Sequence, residues 1–430
     1  MRRRRRKHGS VVGPSKPRLW RLLGPGLITG AADDDPSGIA TYAQAGAQYG
    51  FALGWMMLAT FPLMFVIQAI SARIGRTTGR GIAGNLRTFY APWLLNSIVI
   101  LLFAANVLNI GADLGAMAET ACLLLPGRPW MYVTAFGVIC VLGQVLFKHT
   151  RYVAVLKWLT LSLLSYFATL IAVKMSWKAV ISGVLLPHLS SGKDFWLLVV
   201  AMLGTTISPY LFFWQAAQEV EDTKAAPRRE PLLERPQQGD SALQRINLDT
   251  AIGMGFSNLV GLSILISFAA TLHQAGIFSI DTAAQAAQSL RPIAGAGASA
   301  LFTIGIVGTG LLSVPVLAGS AAYAIGEARR WPVGLSRQPL QAKAFYLTIA
   351  VATCLGAGAN MMAIKPIQAL VWAAVINGIV AVPVMALLMR MSVRSEIMGP
   401  FVIGLSWQIV GWIATAVMLV ATLALCLVPG

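Results

Sequence analysis

The chain has 430 residues, of which 57% are hydrophobic and only 11% are charged, whereas soluble domains are about half apolar and about a quarter charged. Its formal net charge of +17 would suit a nucleic-acid-binding protein, but the basic residues cluster at the N-terminus and between hydrophobic segments, without interleaved aromatics on a polar face. The composition therefore excludes an ordinary soluble domain, argues against a nucleic-acid partner and predicts a chain that crosses the lipid bilayer many times.

The N-terminus is a strongly basic arm. The segment MRRRRRKHGS is followed by VVGPSKPRLW, which lacks the short apolar core and small-residue cleavage site of a secretory signal. We therefore predict that 1–19 form an arm on the cytoplasmic side of the membrane. The cysteines and histidines are scattered without metal-ligand spacing, so the sequence predicts no cofactor.

Apolar runs long enough to cross roughly 30 Å of hydrocarbon follow one another along the rest of the chain. We count eleven, of which the ninth is the shortest. The runs are 20–46, 48–70, 93–117, 130–147, 152–173, 195–218, 248–271, 298–325, 344–358, 366–389 and 402–427. The longest polar interruption, 219–246, is predicted to be a mobile cytoplasmic loop.

The basic side chains between these runs are divided unevenly between the two sides of the membrane. If the N-terminus is cytoplasmic, that side holds most of them, and the opposite side holds only Arg128, Lys174, Lys178, Lys193, Arg291 and Lys365. Cytoplasmic loops of membrane proteins carry this excess of lysine and arginine. The pattern predicts a multi-pass protein of the inner (plasma) membrane with a cytoplasmic N-terminus. Glu327, near the cytoplasmic end of the eighth run, is predicted to pair with Arg329 or Arg330.

The first run contains the segment GAADDDPSGIA at 30–40. Proline removes a backbone donor and clashes with the preceding helical turn, so Pro36 predicts a break in the middle of the membrane. Irregular backbone at that depth is tolerated only where it is buried in protein or lines water. Each ionised aspartate at the bilayer centre costs about 2.5–3.5 kcal/mol. Asp33, Asp34 and Asp35 therefore predict a site for cations or protons. Because adjacent residues face different directions on a helix, at least one of Asp33 and Asp34 is expected to cap the second half-helix, to accept a basic partner or to lie in the aqueous vestibule.

The sixth run contains a second break, in GTTISPYLFFWQAAQ at 204–218. Thr205, Thr206 and Ser208 place hydroxyls and freed carbonyls directly before Pro209. Interrupted helices in corresponding positions of two halves indicate a transporter's midplane site. Since five spans per half is an odd number, the halves 20–174 and 193–390 would be inverted repeats, and 402–427 would be an extra span.

The segments GPGLITGAADDDPSG, GTTISPY and VPVLAGSAAYAIGEA, taken in this order, resemble the Nramp family of divalent-metal transporters. The resemblance implies an all-α polytopic membrane protein with the LeuT-type fold, about 11 transmembrane helices, helices 1 and 6 broken, and an ion site between the two breaks. The transported ion is then a substrate, and the protein is not an enzyme.

The departures from the family pattern concern the ion ligands. The family's Asp-Pro-Gly-Asn is Asp35, Pro36, Ser37 and Gly38 here, so the asparagine ligand is a glycine. The family's Ala-x-x-Met-Pro-His runs from Thr205 to Tyr210 here, so Ser208 replaces the methionine and Tyr210 the histidine. The backbone oxygen of Thr205 falls where the family has a carbonyl ligand. Thioethers select softer metals, whereas carboxylate, hydroxyl and carbonyl oxygens suit Mg²⁺, Ca²⁺ and Mn²⁺. This pattern, like that of the Nramp-related magnesium transporters, predicts a hard divalent cation, Mg²⁺ or Mn²⁺.

Further polar residues within the spans are candidates for the ion or its surroundings. Asp34 and Asn377 are predicted to approach the ion, and Gln218 and Tyr210 to lie around it, although hydrogen bonding between helices is the commoner role for such amides. Asp113 falls where the family has an acid of its proton route, but the glutamate expected three positions later is Ala116. A potential-driven uniporter and a proton-coupled symporter both remain open.

Three other functions are compatible with parts of the pattern. The same fold could carry an amino acid or another organic solute, although the aspartates would repel an anion. An intramembrane aspartyl protease could use Asp35 with Asp113, but neither lies in a Gly-x-Gly-Asp motif, and the paired breaks would be unexplained. A membrane scaffold without transport is the third. We expect a monomer whose partners are the metal ion and the lipid bilayer.

Overall fold

The computed structural model describes residues 25–146, 164–225, 228–360 and 365–428, and every regular element within those ranges is helical. The first half comprises α1 (Pro25–Asp33), α2 (Pro36–Tyr49), α3 (Gly54–Thr78), α4 (Ile82–Phe89), α5 (Pro92–Ala121), α6 (Pro129–Leu146), α7 (Leu164–Ala172) and α8 (Trp177–Leu185). The second comprises α9 (Lys193–Thr206), α10 (Pro209–Ala225), α11 (Gly239–Phe268), α12 (Ala298–Arg329), α13 (Lys343–Ala359), α14 (Pro366–Ser392) and α15 (Leu405–Leu427). Shorter helical turns connect them, including a π-turn at Ala269–His273 that continues α11.

Eight helical segments of the described residues are long and apolar enough to cross a bilayer. Of the three remaining predicted spans, the first corresponds to α1 with α2 and the ninth to the 17-residue α13. The fifth lies partly outside the described residues, and its described part contains α7. The all-helical, multi-pass architecture is therefore confirmed. The predicted arm 1–19 lies outside the described residues, and the limits of the two repeats stay a prediction.

The first span is broken between Asp33 and Pro36. Asp35 has an extended backbone, with φ −71° and ψ 169°, and its side chain caps the first turn of α2. Pro36 then occupies the first helical position, where its missing N–H costs nothing and its fixed φ favours the helix. The break predicted from the sequence is confirmed, and Asp35, not Asp33 or Asp34, provides the cap.

The sixth span is broken in the same way. Helix α9 ends at Thr206, Ile207 leaves the helical region at φ −119° and ψ 58°, and Pro209 begins α10. Helix α9 also packs directly on α14, because a Cβ on Gly204 would lie 2.0 Å from the Ala374 carbonyl oxygen. This backbone contact requires glycine, and it brings Thr205 to the level of Asn377.

The polar segment after α10 is shorter and better anchored than the predicted mobile loop 219–246. Helix α10 continues through Ala225, and α11 starts at Gly239. The guanidinium of Arg76, near the end of α3, donates to the Glu230 carbonyl at 2.6 Å and to Gln238 Oε1 at 2.8 Å. Hydrogen bonds from a charged donor are among the stronger ones in proteins, so this arginine holds the segment against the bundle. We call this end of the bundle, where α3, α10 and α12 finish, the basic end.

Candidate metal site

Asp35 connects the two halves of the first span to two other helices. Its Oδ1 accepts hydrogen bonds from the Gly38 amide at 2.7 Å and from Ser37 Oγ at 2.6 Å. Its Oδ2 lies 3.2 Å from Asn109 Nδ2 of α5 and 3.3 Å from the Tyr210 hydroxyl of α10. A carboxylate oxygen can accept more than one partner, and the longer contacts leave Oδ2 as the oxygen more available to a cation.

Ser208 and Tyr210 bring the second break against the first. Ser208 Oγ lies 2.7 Å from the Gly204 carbonyl and 2.9 Å from the Thr205 carbonyl, so its proton points into the end of α9 and its lone pairs stay free. The Tyr210 hydroxyl lies 3.0 Å from the Ala32 carbonyl and 3.3 Å from Asp35 Oδ2. Its single proton can go to either acceptor, and both belong to the broken first span.

Thr205 faces Gly38 across the two breaks. A Cβ on Gly38 would lie 2.9 Å from Thr205 Oγ1 and 3.5 Å from Asp35 Oδ1. The threonine hydroxyl therefore occupies the space that a side chain at position 38 would need. It is buried and makes no hydrogen bond of normal geometry within the described residues, although Tyr42 approaches it. The sequence had pointed to the Thr205 carbonyl, and the geometry adds its hydroxyl.

Asn377 contributes a buried amide from α14. Its neighbour Gly378 lies against Gly204 of α9, with its nitrogen 2.5 Å from where a Gly204 Cβ would be. The Asn377 side chain is fully buried, and neither of its polar atoms has a hydrogen-bond partner in the part of the chain described. Burial of an amide without such a partner is unfavourable, so this position is typical of a side chain that serves a ligand.

Asp33 and Asp34 turn toward α11. Ser257 Oγ lies 2.6 Å from Asp33 Oδ2 and 3.1 Å from Asp34 Oδ1, and each carboxylate keeps one buried oxygen without a partner among the described residues. None of the three adjacent aspartates forms a salt bridge with a described lysine, arginine or histidine. Their charges are therefore left for a cation or for protons to balance.

The remaining candidates lie at different distances from this group. Asp113 is four residues beyond Asn109 and therefore on the same face of α5, and its Oδ2 accepts from Ser313 Oγ at 2.8 Å.

Gln218 is nine residues beyond Pro209, roughly 13 Å along α10, and none of the described hydrogen bonds joins it to the break. Two residues of the site, Asn109 and Ser257, are not predicted from the sequence. The four-residue spacing from Asp113 indicates Asn109 in hindsight, but nothing in the sequence indicates Ser257.

A cavity of about 540 Å³ opens above the site, at the end opposite to the basic end. Gln44 of α2, Leu198 of α9 and Val371 of α14 line it. Ser37 lies seven residues before Gln44 on α2, and Thr205 lies seven residues after Leu198 on α9, which is about two helical turns or roughly 10 Å. Residues seven apart share a helical face, so the cavity and the site lie on the same faces of α2 and α9. Asn377 lies six residues after Val371 on α14, at a similar depth.

The path from the site to the basic end is closed by polar contacts. Thr29 of α1 donates to Gln215 of α10, and Gln68 of α3 donates to the Leu211 carbonyl at 3.0 Å. Further along, Asp249 Oδ2 accepts from the Gly26 amide at 2.7 Å. These contacts join α1 to α10 and α11, so an ion leaving toward the basic end has to separate them.

The chemistry of the site is that of a mixed oxygen group. The described residues contain no cluster of three histidine, cysteine, aspartate or glutamate side chains arranged to hold a metal. What converges at the breaks is one carboxylate, hydroxyls, backbone carbonyls and an amide. Such ligands suit a hard cation that keeps part of its water shell.

The chain resembles a family of known membrane transporters along most of its length. The Nramp family model, described as natural resistance-associated macrophage protein-like, matches residues 26–428. The chain is 26% identical over 393 residues to the divalent metal cation transporter MntH of Verminephrobacter eiseniae, covering 89% of this chain and 83% of that protein. It is 26% identical over 415 residues to MntH of Deinococcus radiodurans, with 94% and 88% covered.

The fold is similar to that of solved transporters. A crystal structure of the Eremococcus coleocola manganese transporter, in complex with an aromatic bis-isothiourea substituted compound, superposes with a TM-score of 0.75 at 17% identity, over 95% of this chain and 87% of that one. Mhp1, a nucleobase-cation-symport-1 family transporter, gives 0.51 at 14% identity, over 95% and 92%. At these identities the likeness concerns the fold, and it confirms the LeuT-type architecture predicted above.

Proposed function

The chain belongs to the Nramp family, and we propose that it carries a divalent metal cation across the membrane as its substrate. The observation that carries the proposal is a set of buried polar side chains at the two helix breaks. Asp35 and Thr205 lie on either side of Gly38, and Asn377 is buried on α14, which packs against α9. None of them forms a salt bridge with a basic residue among those described. The family relatives named MntH are divalent metal cation transporters, which supports transport over catalysis.

The proposed ligands are all oxygens. Asp35 Oδ2 supplies the charge, Thr205 offers its hydroxyl and its carbonyl, and Asn377 offers its amide oxygen. Ser208 adds a hydroxyl where the family pattern has a thioether. Oxygen ligands of this kind suit Mg²⁺ and Mn²⁺ better than soft metals, so we propose one of these two as the transported ion.

Ser37, Gly38 and Asp34 support the site in other ways. The Ser37 hydroxyl donates to Asp35 and fixes the orientation of that carboxylate. Gly38 leaves the space that the Thr205 side chain fills. Asp34 turns toward Ser257, where it adds negative charge near the ion without joining the group around Asp35.

We propose that transport follows alternating access. In the present conformation the site lies beneath the cavity lined by Gln44 and Asp194, while the contacts of Thr29 with Gln215 close the other path. With the basic end in the cytoplasm, as the charge distribution predicts, this is an outward-facing arrangement for import. Inward release would require α1 to leave α10 and α11.

The driving force is either the membrane potential or a proton gradient. A charge moved through 100 mV gains about 2.3 kcal/mol, so a divalent ion gains twice that. Asp113 is the candidate proton carrier, since it is buried beside Asn109 and bonded only to Ser313 in the described chain. Acidification of the vesicle lumen during metal uptake would indicate symport, and its absence would indicate uniport.

The test is uptake by purified protein in liposomes, scanning Mg²⁺, Mn²⁺, Ca²⁺ and Cd²⁺. Asp35→Asn should lower uptake of the preferred ion at least about tenfold, since loss of a charged ligand costs more than about 1.4 kcal/mol. Asp240→Asn, at an exposed aspartate at the start of α11, is the matched control and should transport normally. A strong preference for Cd²⁺ would refute the hard-ion assignment, and full activity of Asp35→Asn would refute the site.

A further inference from the structure

A second cavity, of about 530 Å³, lies at the basic end, far from the helix breaks. It is bounded by the start of α4, the ends of α10 and α12, and the connection after α12. Its volume falls within the range of small-molecule binding sites. Its charged lining consists of Arg80, Arg87, Lys224, Arg330 and Arg337 together with Glu221 and Glu327. We call it the basic cavity.

Both acidic side chains of the basic cavity are held by the backbone. Glu327 accepts from the Gly81 and Gly84 amides, each at 2.9 Å, at the N-terminus of α4. Glu221 accepts from the Leu335 amide at 2.7 Å and from the Ser336 amide at 3.1 Å. Both carboxylates therefore make these hydrogen bonds to backbone amides and no salt bridge to arginine or lysine in the described structure, and the pairing of Glu327 with Arg329 or Arg330 predicted from the sequence is not formed there.

The basic side chains are left without acidic partners. None of the five forms a salt bridge with a described acidic residue. Arg80 donates to Thr88 at 3.0 Å, and Arg87 donates to the Glu327 carbonyl. Burial lowers the pKa of the Arg87 guanidinium, and the positive charges of Arg330 and Arg80 lower it further, against the opposing effect of Glu327. The guanidinium groups are therefore close enough to repel one another.

Arg330 reaches this place through an uncommon backbone conformation. Its φ of 61° is the only positive value at a non-glycine residue in the described ranges. Glycine is the usual residue in such a left-handed helix end, because a side chain is disfavoured there. Strained conformations of this kind concentrate at functional sites, and this one lies in the lining of the basic cavity.

We propose that the basic cavity binds a phosphate-bearing anion. The positive-inside rule accounts for basic residues on this side of the membrane, but it does not account for the convergence of five of them on one concave surface whose two carboxylates bind backbone amides and form no salt bridge with them. Arginine forms paired hydrogen bonds with phosphate oxygens, and lysine is also a common phosphate ligand. The anion can be a free phosphorylated metabolite or the headgroup of an acidic lipid, since both present the same chemistry.

A phosphate in this position would tie α4, α10 and α12 together at the basic end. Lys224 ends α10, Arg330 ends α12, and Arg87 belongs to α4. Because α10 also carries Gln215, which helps to close the inner path, the anion would favour the closed arrangement of this end. Its binding does not depend on which ion the protein transports.

The test is thermal unfolding of the full-length protein in neutral detergent with EDTA, comparing sodium pyrophosphate with sodium chloride of equal ionic strength. Arg330→Gly suits the positive φ and removes the charge, and Lys224→Gln removes an exposed charge. Arg390→Gln, at an exposed arginine in the last turn of α14 and outside the cavity, is the control. A parallel arm uses phosphatidylcholine nanodiscs with and without phosphatidylglycerol.

Pyrophosphate should raise the unfolding midpoint of the wild type and of Arg390→Gln. Each cavity variant should bind pyrophosphate with an apparent affinity at least about tenfold weaker than the wild type, which is the effect of losing one charged contact. If phosphatidylglycerol alone produces a rise that the cavity variants lose, the proposal holds with a lipid headgroup as the ligand. The proposal is overturned if neither probe stabilises the wild type beyond the chloride control, or if Arg330→Gly and Lys224→Gln respond as the wild type does.

Discussion

The contact between Gly38 and Thr205 makes a quantitative prediction about two residues on separate helices. In Gly38→Ala the new Cβ would stand 2.9 Å from Thr205 Oγ1 and 3.3 Å from the Asp33 carbonyl oxygen, and the first distance is too short for a carbon and an oxygen to keep. Either the threonine changes rotamer or α2 moves away from α9. Overpacking of a buried site costs about 1–3 kcal/mol, and we expect the variant to lose that much stability.

Removing the hydroxyl should reverse this loss. Thr205→Ala takes away the atom that the new Cβ meets, so Gly38→Ala with Thr205→Ala should recover most of the stability of the single Thr205→Ala variant. Residues in direct contact show coupling energies of about 0.5–3 kcal/mol in a double-mutant cycle. Metal affinity should behave differently, because both the single threonine variant and the double variant lack the proposed hydroxyl ligand. Stability is therefore rescued while metal binding is not.

The assay compares the four proteins in thermal unfolding and in isothermal titration with Mg²⁺ and Mn²⁺. Gly137→Ala is the matched control, since a Cβ on this buried glycine of α6 would meet only Thr353 and Leu114 at 3.7 and 3.9 Å. It should be neutral or slightly stabilising, because alanine is the better helix former by about 0.5–1 kcal/mol. A neutral Gly38→Ala, a double variant as unstable as Gly38→Ala, or restored metal affinity in the double variant would refute the reasoning.

Two further predictions concern the other ligands. Asn377→Ala should lower metal uptake but change stability by less than about 1 kcal/mol, since its amide has no hydrogen-bond partner among the described residues to lose. Asn106→Ala loses bonds to the Leu317 carbonyl and Ser320 and should cost about 1–3 kcal/mol. Equal losses of stability in the two variants would contradict the assignment. Ser208→Met places a thioether at the second break and should raise Cd²⁺ uptake relative to Mg²⁺ uptake in liposomes. An unchanged ratio of Cd²⁺ uptake to Mg²⁺ uptake would show that position 208 does not contact the ion.

Much of the architecture follows from local signals in the sequence. Pro36 and Pro209 define the two breaks because proline acts on its own turn of helix, and the apolar runs define the spans because each must cross the same thickness of hydrocarbon. The polar segment after α10 is shorter than the predicted loop, because α10 continues to Ala225 and α11 begins at Gly239, and the sequence gives no sign that Arg76 of a distant helix contacts it.

The details of the site could not be predicted, because they depend on contacts between distant residues. Asn109 is 74 residues from Asp35, and Ser257 is 224 residues from Asp33. The capping role of Asp35 is local, but its neighbours are equally good capping residues, and only the register of the break selects it. The fit of Thr205 into the space above Gly38 depends on the distance between two helix axes, which no pattern in the chain encodes.

The three adjacent aspartates connect ion binding to the closure of the outer cavity. Asp33 and Asp34 both contact Ser257 Oγ, and two ionised carboxylates about 5 Å apart repel by roughly 3 kcal/mol at an effective dielectric of 20, so an empty, ionised site favours conformations that admit water. A divalent cation at the proposed site would reverse the sign of this interaction and would draw oxygens from α2, α9 and α14 toward one point. Those are the helices whose outer ends line the cavity. Under the proposed function, occupancy would favour closure of the outer side through the same contacts that hold the ion. A ligand needs such a difference in interaction between two conformations in order to shift the equilibrium between them.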